Sequence, residues 1–358
     1  MKNNEQMIYV HIPFCNSKCY YCSFVSCTNF KLTEKYFQSL KKEILKRKND
    51  KVVSSIYFGG GTPSSVDSAF IVETLNFIKE NYSLKENCEI SIECNPNSTT
   101  KQKLKDYFVA GFNRISFGVQ SLNEKSLEKI GRFQNLSQVQ NALAWAREAN
   151  FENISVDLLI GLENQTFDDL KHDINTLYIG GIKHISLYML MIEEKTKLGD
   201  MVLKNQYIPV SDDHCVDLYE SVVSHLKQLG FERYEVSNFA KEGYECKHNF
   251  GYWTMKEYLG FGMASHSFEN DTRRENASNF DDYFAEKIEI EKILPKQANE
   301  EEIMLGLRTT FGVKESIIKN KKQLDDLLKK GVLKKTDSNV RVSDEYFGVL
   351  NQIILKLI

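Results

Sequence analysis

The sequence predicts an α/β fold built around a parallel sheet, barrel-like or open, with an irregular middle and a small helix-rich end. Three observations carry that expectation. Six strand-like segments alternate with helix-like segments between residues 7 and 190. They recur at roughly thirty-residue intervals, the spacing of right-handed parallel β/α units. Residues suited to chemistry fall just past the ends of those strands, where such folds gather ligands.

The first predicted strand is MIYVHI, 7–12, which is apolar, β-branched and aromatic. Phe37, Leu40 and Ile44 then recur at helical spacing within 34–47. VVSSIYF, 52–58, is the second strand and runs into GGGTPS; 66–82 reads as an amphipathic helix. EISIEC, 89–94, is the third strand, with a helix over 99–109. RISFGV, 114–119, is the fourth, followed by helices over 123–131 and 136–149. NISVDLLIG, 153–161, is the fifth, with a helix over 167–179, and HISLYML, 184–190, is the sixth. Past about residue 205 the alternation stops. Residues 211–229 predict one long helix. The stretch 233–268 is dense in aromatic, glycine and polar residues but has neither period, which predicts a functional loop region. From Glu301, short helices and the hairpin GVLKKTDSNVRVS predict a small winged appendage. The expected domains are therefore 1–205, 206–300 and 301–358, with no flexible linker between them.

Of the 358 residues, 42% are apolar, which allows a sizeable core. The 46 basic and 49 acidic side chains nearly balance, so no charge excess calls for nucleic acid or an anionic membrane. No apolar run is long enough to span a membrane, and MKNNEQMIYV does not have the form of a signal peptide. A cytoplasmic, reducing location is expected. Clustered cysteines there act as metal ligands or catalytic thiols rather than disulfides.

Such a cluster follows the first strand. Cys15, Cys19 and Cys22 have the spacing C-x3-C-x2-C; the other five cysteines are scattered. Zinc sites usually take four ligands, often as two separated pairs. Three thiolates in one tight loop instead suit three corners of a cubane iron–sulfur cluster, whose fourth iron stays open. A zinc knuckle borrowing a histidine, or chance clustering, is the alternative. FGGGTPS, 58–64, lets the backbone approach a ligand closely or simply makes a tight turn. Asp157 lies inside the apolar run SVDLLIG, where an unpaired carboxylate is costly, so a polar partner or ligand is expected.

The cysteine spacing, with Tyr21 before the last cysteine, resembles the signature of the radical S-adenosylmethionine superfamily. The resemblance implies a partial (β/α)6 TIM-like barrel, a [4Fe–4S] cluster on Cys15, Cys19 and Cys22, and S-adenosylmethionine chelated to the open iron. An electron from the cluster would cleave the sulfonium to a 5′-deoxyadenosyl radical. By the same resemblance Tyr9, Gly60, Gly61, Thr62, Glu93, Gln120, Arg132 and Asp157 match cofactor-contacting positions. The residue types suit that task. Arg132 can pair with the methionine carboxylate, and Glu93 and Asp157 can accept bonds from amine or ribose.

YVHIPFC, FGGGTPS, RISFGVQS, VDLLIGLENQT and HISLYML, spread over most of the chain, resemble the family of oxygen-independent coproporphyrinogen III oxidase and its relatives. The oxidase branch has an N-terminal extension and a further cysteine two residues after the third; here Cys15 is near the start and that position is Phe24. Both departures point to the HemW-type haem chaperones. GLENQT also departs, where relatives often carry a Pro-Gly pair, which alters a loop rather than a ligand. His248 to Trp253, HNFGYW, matches the branch's H-N-x-x-Y-W motif. The resemblance implies haem contact at His248, with Cys246 and His266 as alternative axial ligands; the competing reading makes His248 and Asn249 structural hydrogen-bonders. His11 suits either role, while His172, His184, His214 and His225 read as structural or solvated.

The expected protein is monomeric or weakly dimeric. It would bind haem and pass it to an acceptor protein, a membrane-associated one included. Radical chemistry would need an electron donor such as a flavodoxin or ferredoxin. The alternative is an oxidase that decarboxylates porphyrinogen propionates, or another tetrapyrrole-modifying enzyme of the branch.

Overall fold

The computed structural model describes residues 4–358. Strands β1 (Glu5–Ile12), β2 (Val52–Gly60), β3 (Leu84–Cys94), β4 (Arg114–Gln120), β5 (Asn153–Ile160) and β6 (His184–Met189) lie side by side in chain order, all parallel. The connecting helices are α1 (Thr33–Lys46), α2 (Ser68–Asn81), α3 (Lys101–Ala110), α4 (Glu124–Lys129), α5 (Leu136–Glu148) and α6 (Phe167–Ile179). After β6 come α7 (Lys197–Leu203) and α8 (Asp212–Gln228). All six expected strands are present; only β3 begins well before its expected start.

Local chemistry sets the element ends. Asn135 with Gln138 and Thr166 with Asp169 form capping boxes that start α5 and α6. Gly111, with φ of 101°, ends α3 in the left-handed turn that glycine adopts without strain. The strands alternate. Ile56 and Phe58, Ile90 and Ile92, Ile115 and Phe117, Ile154 and Val156, and Ile185 and Leu187 share one core with Leu40, Leu75, Leu104, Leu143 and Ile174 of the helices. Period two therefore turns Ser55 and Tyr57, Glu89, Ser91 and Glu93, Arg114 and Ser116, Ser155 and Asp157, and His184 and Ser186 towards the barrel interior.

The barrel is partial because β1 and β6 are not neighbours. β7 (Glu232–Arg233) and β8 (Asn238–Ala240) extend the β6 edge, with β8 antiparallel to β6. β9 (Tyr258–Phe261) runs parallel to β1, and β10 (His266–Glu269), β11 (Thr272–Asn276) and β12 (Ile288–Lys292) continue outward antiparallel. The stretch 233–268 is thus not a loop region: it supplies strands at both edges and α9 (Lys247–Trp253). Strands of two to four residues are too short for period two to register. α10 (Phe280–Phe284) precedes β12.

The C-terminal part holds α11 (Pro295–Gly306), α12 (Lys321–Lys329), α13 (Leu350–Leu357) and a sheet of β13 (Val313–Lys314), β14 (Leu333–Thr336) and β15 (Asn339–Val342). It is mostly helical, has its own core around Ile303, Leu324, Val340 and Ile354, and includes the expected hairpin. No helix among the described residues is long and apolar enough to cross a membrane.

Candidate functional site

The parallel strands end at a cavity of about 550 Å³. The loop from Pro13 to Asn29, between β1 and α1, forms one wall. Its ends are tied: Cys15 N donates to Cys27 O at 3.0 Å and Cys27 N to Pro13 O at 2.6 Å. Its far side is clamped at Tyr20, whose N–H donates to Ile130 O at 2.8 Å and whose carbonyl accepts from Leu198 N at 2.7 Å. Cys15, Cys19 and Cys22 all line the cavity from this loop. Burial pushes the Cys15 and Cys22 thiols up, and the neighbouring cysteines add to the shift.

Gly60, Gly61 and Thr62 form the adjoining edge. Gly61 N donates to Ile12 O and Thr62 N to Phe14 O, both at 2.8 Å, so this turn is stitched to the start of the cysteine loop. Thr62 Oγ1 lies 3.4 Å from Cys15 Sγ. Glycine is required twice. Gly60 has φ of +106°, and a Cβ there would lie 2.5 Å from the His11 ring. A Cβ on Gly61 would lie 2.8 Å from the backbone carbonyl of Ile12.

Glu93 and Asp157 reach the cavity from β3 and β5. Burial pushes Glu93 up to about 7, with the nearby Asp157 carboxylate adding to it and the Tyr57 hydroxyl, donating at 2.8 Å, opposing. Burial also raises Asp157, which Ser116 Oγ partners at 3.1 Å. Two carboxylates that burial makes reluctant to ionise form a site that gains from a cationic ligand. Between them, Gln120 ends β4, and Arg132, 8% exposed, follows α4. Its Nη1 donates towards Cys19 Sγ at 3.7 Å and its Nη2 to Gly118 O, which pairs beside Asp157. The guanidinium therefore stands between the thiols and the carboxylates.

Residues 9–177 match the family model "Radical SAM superfamily". A protein of Bacillus subtilis named "Heme chaperone HemW" is 34% identical, over 94% of this chain and 95% of its own. Its namesake from Lactococcus lactis is 32% identical, over 100% of this chain and 98% of its own. The structure of coproporphyrinogen III oxidase (HemN) from Escherichia coli matches with a TM-score of 0.84 at 21% identity, over 99% of this chain and 90% of that one. The chain belongs to the HemW family of radical SAM proteins. Its fold is the one seen in that oxidase.

Membership implies a [4Fe–4S] cluster and S-adenosylmethionine, and the donor set fits both. Three thiols that line one cavity from a single loop are the donor set that three corners of a cubane take. A carboxylate-seeking guanidinium and two cation-seeking carboxylates lining the same cavity as the thiols match the charged groups of a methionyl moiety.

Other family-matched residues sit elsewhere. Tyr9 is not in the lining; its hydroxyl lies 3.3 Å from His11 Nδ1, and His11 Nε2 contacts Val25 O of the cysteine loop at 3.0 Å. Tyr9 thus stands one layer out, supporting that loop through His11. His248 is fully buried. Its Nδ1 lies 2.9 Å from Ser55 Oγ, its Nε2 lies 3.0 Å from the Tyr252 hydroxyl, and its ring stacks on Tyr57. Both ring nitrogens are thus engaged with protein groups in the interior. Cys246 is also buried, its thiol donating to Glu89 Oε1 at 3.5 Å. Of the three residues expected as haem ligands, only His266 is exposed, beside Glu275 at 3.8 Å.

Several lining residues carried no motif: Cys94, Asn95, Phe133, Met191 and Glu193. A repeated pattern signals the interior. EISIE, RISFG, NISVD and HISLY each place polar or small residues at alternate positions around isoleucine and serine. Read as period two rather than as buried strands, they mark a polar barrel lumen.

Proposed function

We propose that this chain is a haem chaperone that carries a [4Fe–4S] cluster on Cys15, Cys19 and Cys22, binds S-adenosylmethionine, and passes haem to an acceptor protein. One observation carries the reading. The three thiols share one cavity with Gly60, Gly61, Thr62, Glu93, Gln120, Arg132 and Asp157, on a chain whose full-length relatives are named heme chaperones. When bound, the cluster and S-adenosylmethionine supply one-electron chemistry at the sulfonium. The protein's own part is to hold them. Arg132 takes the methionyl carboxylate, Glu93 and Asp157 take the amine or ribose, and Gln120 serves as donor and acceptor.

Haem contact is assigned to the mouth rather than to His248. Phe24 and Met191, 68% and 71% exposed, line the cavity rim with Phe133, Tyr188 and Met189. Exposed aromatic and thioether groups give a flat apolar macrocycle a face to stack on. The working location is the cytoplasm, and an unidentified acceptor completes the transfer.

Anaerobic reconstitution tests the reading. Four irons per chain and a Soret band on haem addition, with haem moving on to an apo-acceptor, would support it. Zinc in place of iron would end it. So would accumulation of protoporphyrinogen IX from coproporphyrinogen III with S-adenosylmethionine and a reductant, which would establish the oxidase instead.

A further inference from the structure

β4 does not end as a regular strand. Its pairing with β5 slips between Gly118 and Gln120, leaving Val119 as an extra residue. Gln120 then takes a φ of 69°, in the left-handed region that a side chain disfavours. Bulges beside functional sites re-aim side chains, and strained backbone persists only where its surroundings over-determine it. A Cβ on Gly118 would lie 2.9 Å from Arg132 Nη2, so the guanidinium packs directly on this bulge.

Two buried side chains hold the bulge, and neither lines the cavity. Gln134 Nε2 donates to Val119 O at 2.5 Å, and its Oε1 accepts from Arg132 Nε at 3.4 Å. Arg132 Nη2 takes the other bulge carbonyl, that of Gly118. From α6, Asp173 Oδ2 accepts from Ser121 Oγ at 2.8 Å and from Leu122 N at 3.0 Å. Ser121 Oγ also accepts from Asn123 N at 3.1 Å, just where α4 begins. A chain of hydrogen bonds thus links Gln134, through Arg132, to Cys19, while Asp173 fixes the turn behind Gln120.

We propose that Gln134 and Asp173 are positioning residues of the cofactor site. Gln134 fixes the Arg132 guanidinium between the bulge and Cys19. Asp173 fixes the strained turn that presents Gln120. This rests on the reading of the cavity as an S-adenosylmethionine site. Without Gln134, Arg132 Nε loses its partner and Val119 O keeps only Ser121 N, at 2.9 Å, so the guanidinium gains freedom that binding must then remove.

The test uses the cluster-loaded full chain. Calorimetry measures S-adenosylmethionine affinity, and electron paramagnetic resonance reads the reduced cluster with and without it. Gln134→Leu and Asp173→Ala each remove two hydrogen bonds behind the site and should each weaken binding roughly tenfold. Each should also reduce the shift that the ligand causes in the cluster spectrum. The deciding readout is a double-mutant cycle. Gln134→Leu should cost nothing further in an Arg132→Ala background, nor Asp173→Ala in a Gln120→Ala background. Gln134→Glu, which keeps the acceptor for Arg132 Nε, and Asp173→Asn should recover part of the affinity; they carry the same cycles if the larger changes prevent folding. Additive losses, or variants that bind as tightly as the wild-type chain, would overturn the positioning roles alone. A wild-type chain that binds no S-adenosylmethionine would overturn the reading of the cavity itself.

Discussion

Glu89 and Glu93 stand on the same face of β3, four residues apart, and end in opposite states. Glu89 is buried beneath the barrel. Its carboxylate accepts from Lys247 N at 2.9 Å, His248 N at 3.1 Å and the Cys246 thiol at 3.5 Å. Glu93 faces the cavity with the Tyr57 hydroxyl at 2.8 Å and is pushed up to about 7. The arginines divide in the same way. Arg114, on the floor, is fully buried, and the nearby Glu89 carboxylate offsets the cost that burial puts on its charge. Arg132, which lines the cavity, donates instead towards the Cys19 thiol at 3.7 Å. The floor is largely closed on itself, although Arg114 and Asn153 leave polar atoms without protein partners there. Polar residues of one type are therefore structural or functional according to who satisfies them, not according to the strand they sit on.

The largest contrast should come from cysteines. Replacing Cys15, Cys19 and Cys22 by alanine together should abolish iron incorporation and the cluster's visible absorbance while the apo-protein keeps its thermal midpoint. Replacing Cys246 by serine should leave iron content unchanged. A loss of iron in the second variant would erase the distinction between mouth and floor.

Glu89→Ala should cost about 3 kcal/mol or more of stability in urea unfolding, because α9 loses its acceptor and Arg114 a counter-charge. Glu93→Gln should cost no stability. For Glu93 the folded pKa, about 7, lies above the ordinary 4.5, so the folded state binds the proton more tightly. Its contribution is fully present below about pH 4.5 and is lost as pH rises through about 7. A urea-midpoint series across that window should therefore flatten in Glu93→Gln. Calorimetry should show S-adenosylmethionine affinity falling as the wild-type carboxyl protonates below about pH 7, and no such fall in the variant.

A smaller effect is expected at His248. His248→Phe should keep the stacking on Tyr57 but lose two hydrogen bonds, at a cost of about 1–3 kcal/mol. Haem stoichiometry at saturation should not change; a vanished Soret band in a folded variant would return the haem to the motif. The smallest effect belongs to Phe24→Ala. It should weaken haem by about 1 kcal/mol, read from the Soret titration, with iron content unaltered.

Much of this was legible along the chain. The six strands showed themselves because each is long enough for its composition to register, and the cysteine loop because its spacing is local. Glu93, Gln120, Arg132 and Asp157 could be matched one by one to a family, but their meeting across four segments could not be read from spacing. The edge strands of 233–268 stayed hidden, since their pairing is with β1 and β6, distant in sequence. The surroundings of His248 stayed hidden for the same reason. An imidazole beside Tyr and Trp is a good ligand in one dimension, and only packing reveals that Ser55 and Tyr252 already hold it.

By itself the order of residues determined the parallel β/α frame, the thiol triplet and the glycine turn, because periodicity, spacing and backbone freedom are local properties. Tertiary structure alone decided which inward-facing polar groups were satisfied and which were left for a ligand. That choice depends on what each side chain meets across the barrel, and burial turns a missing partner into a site.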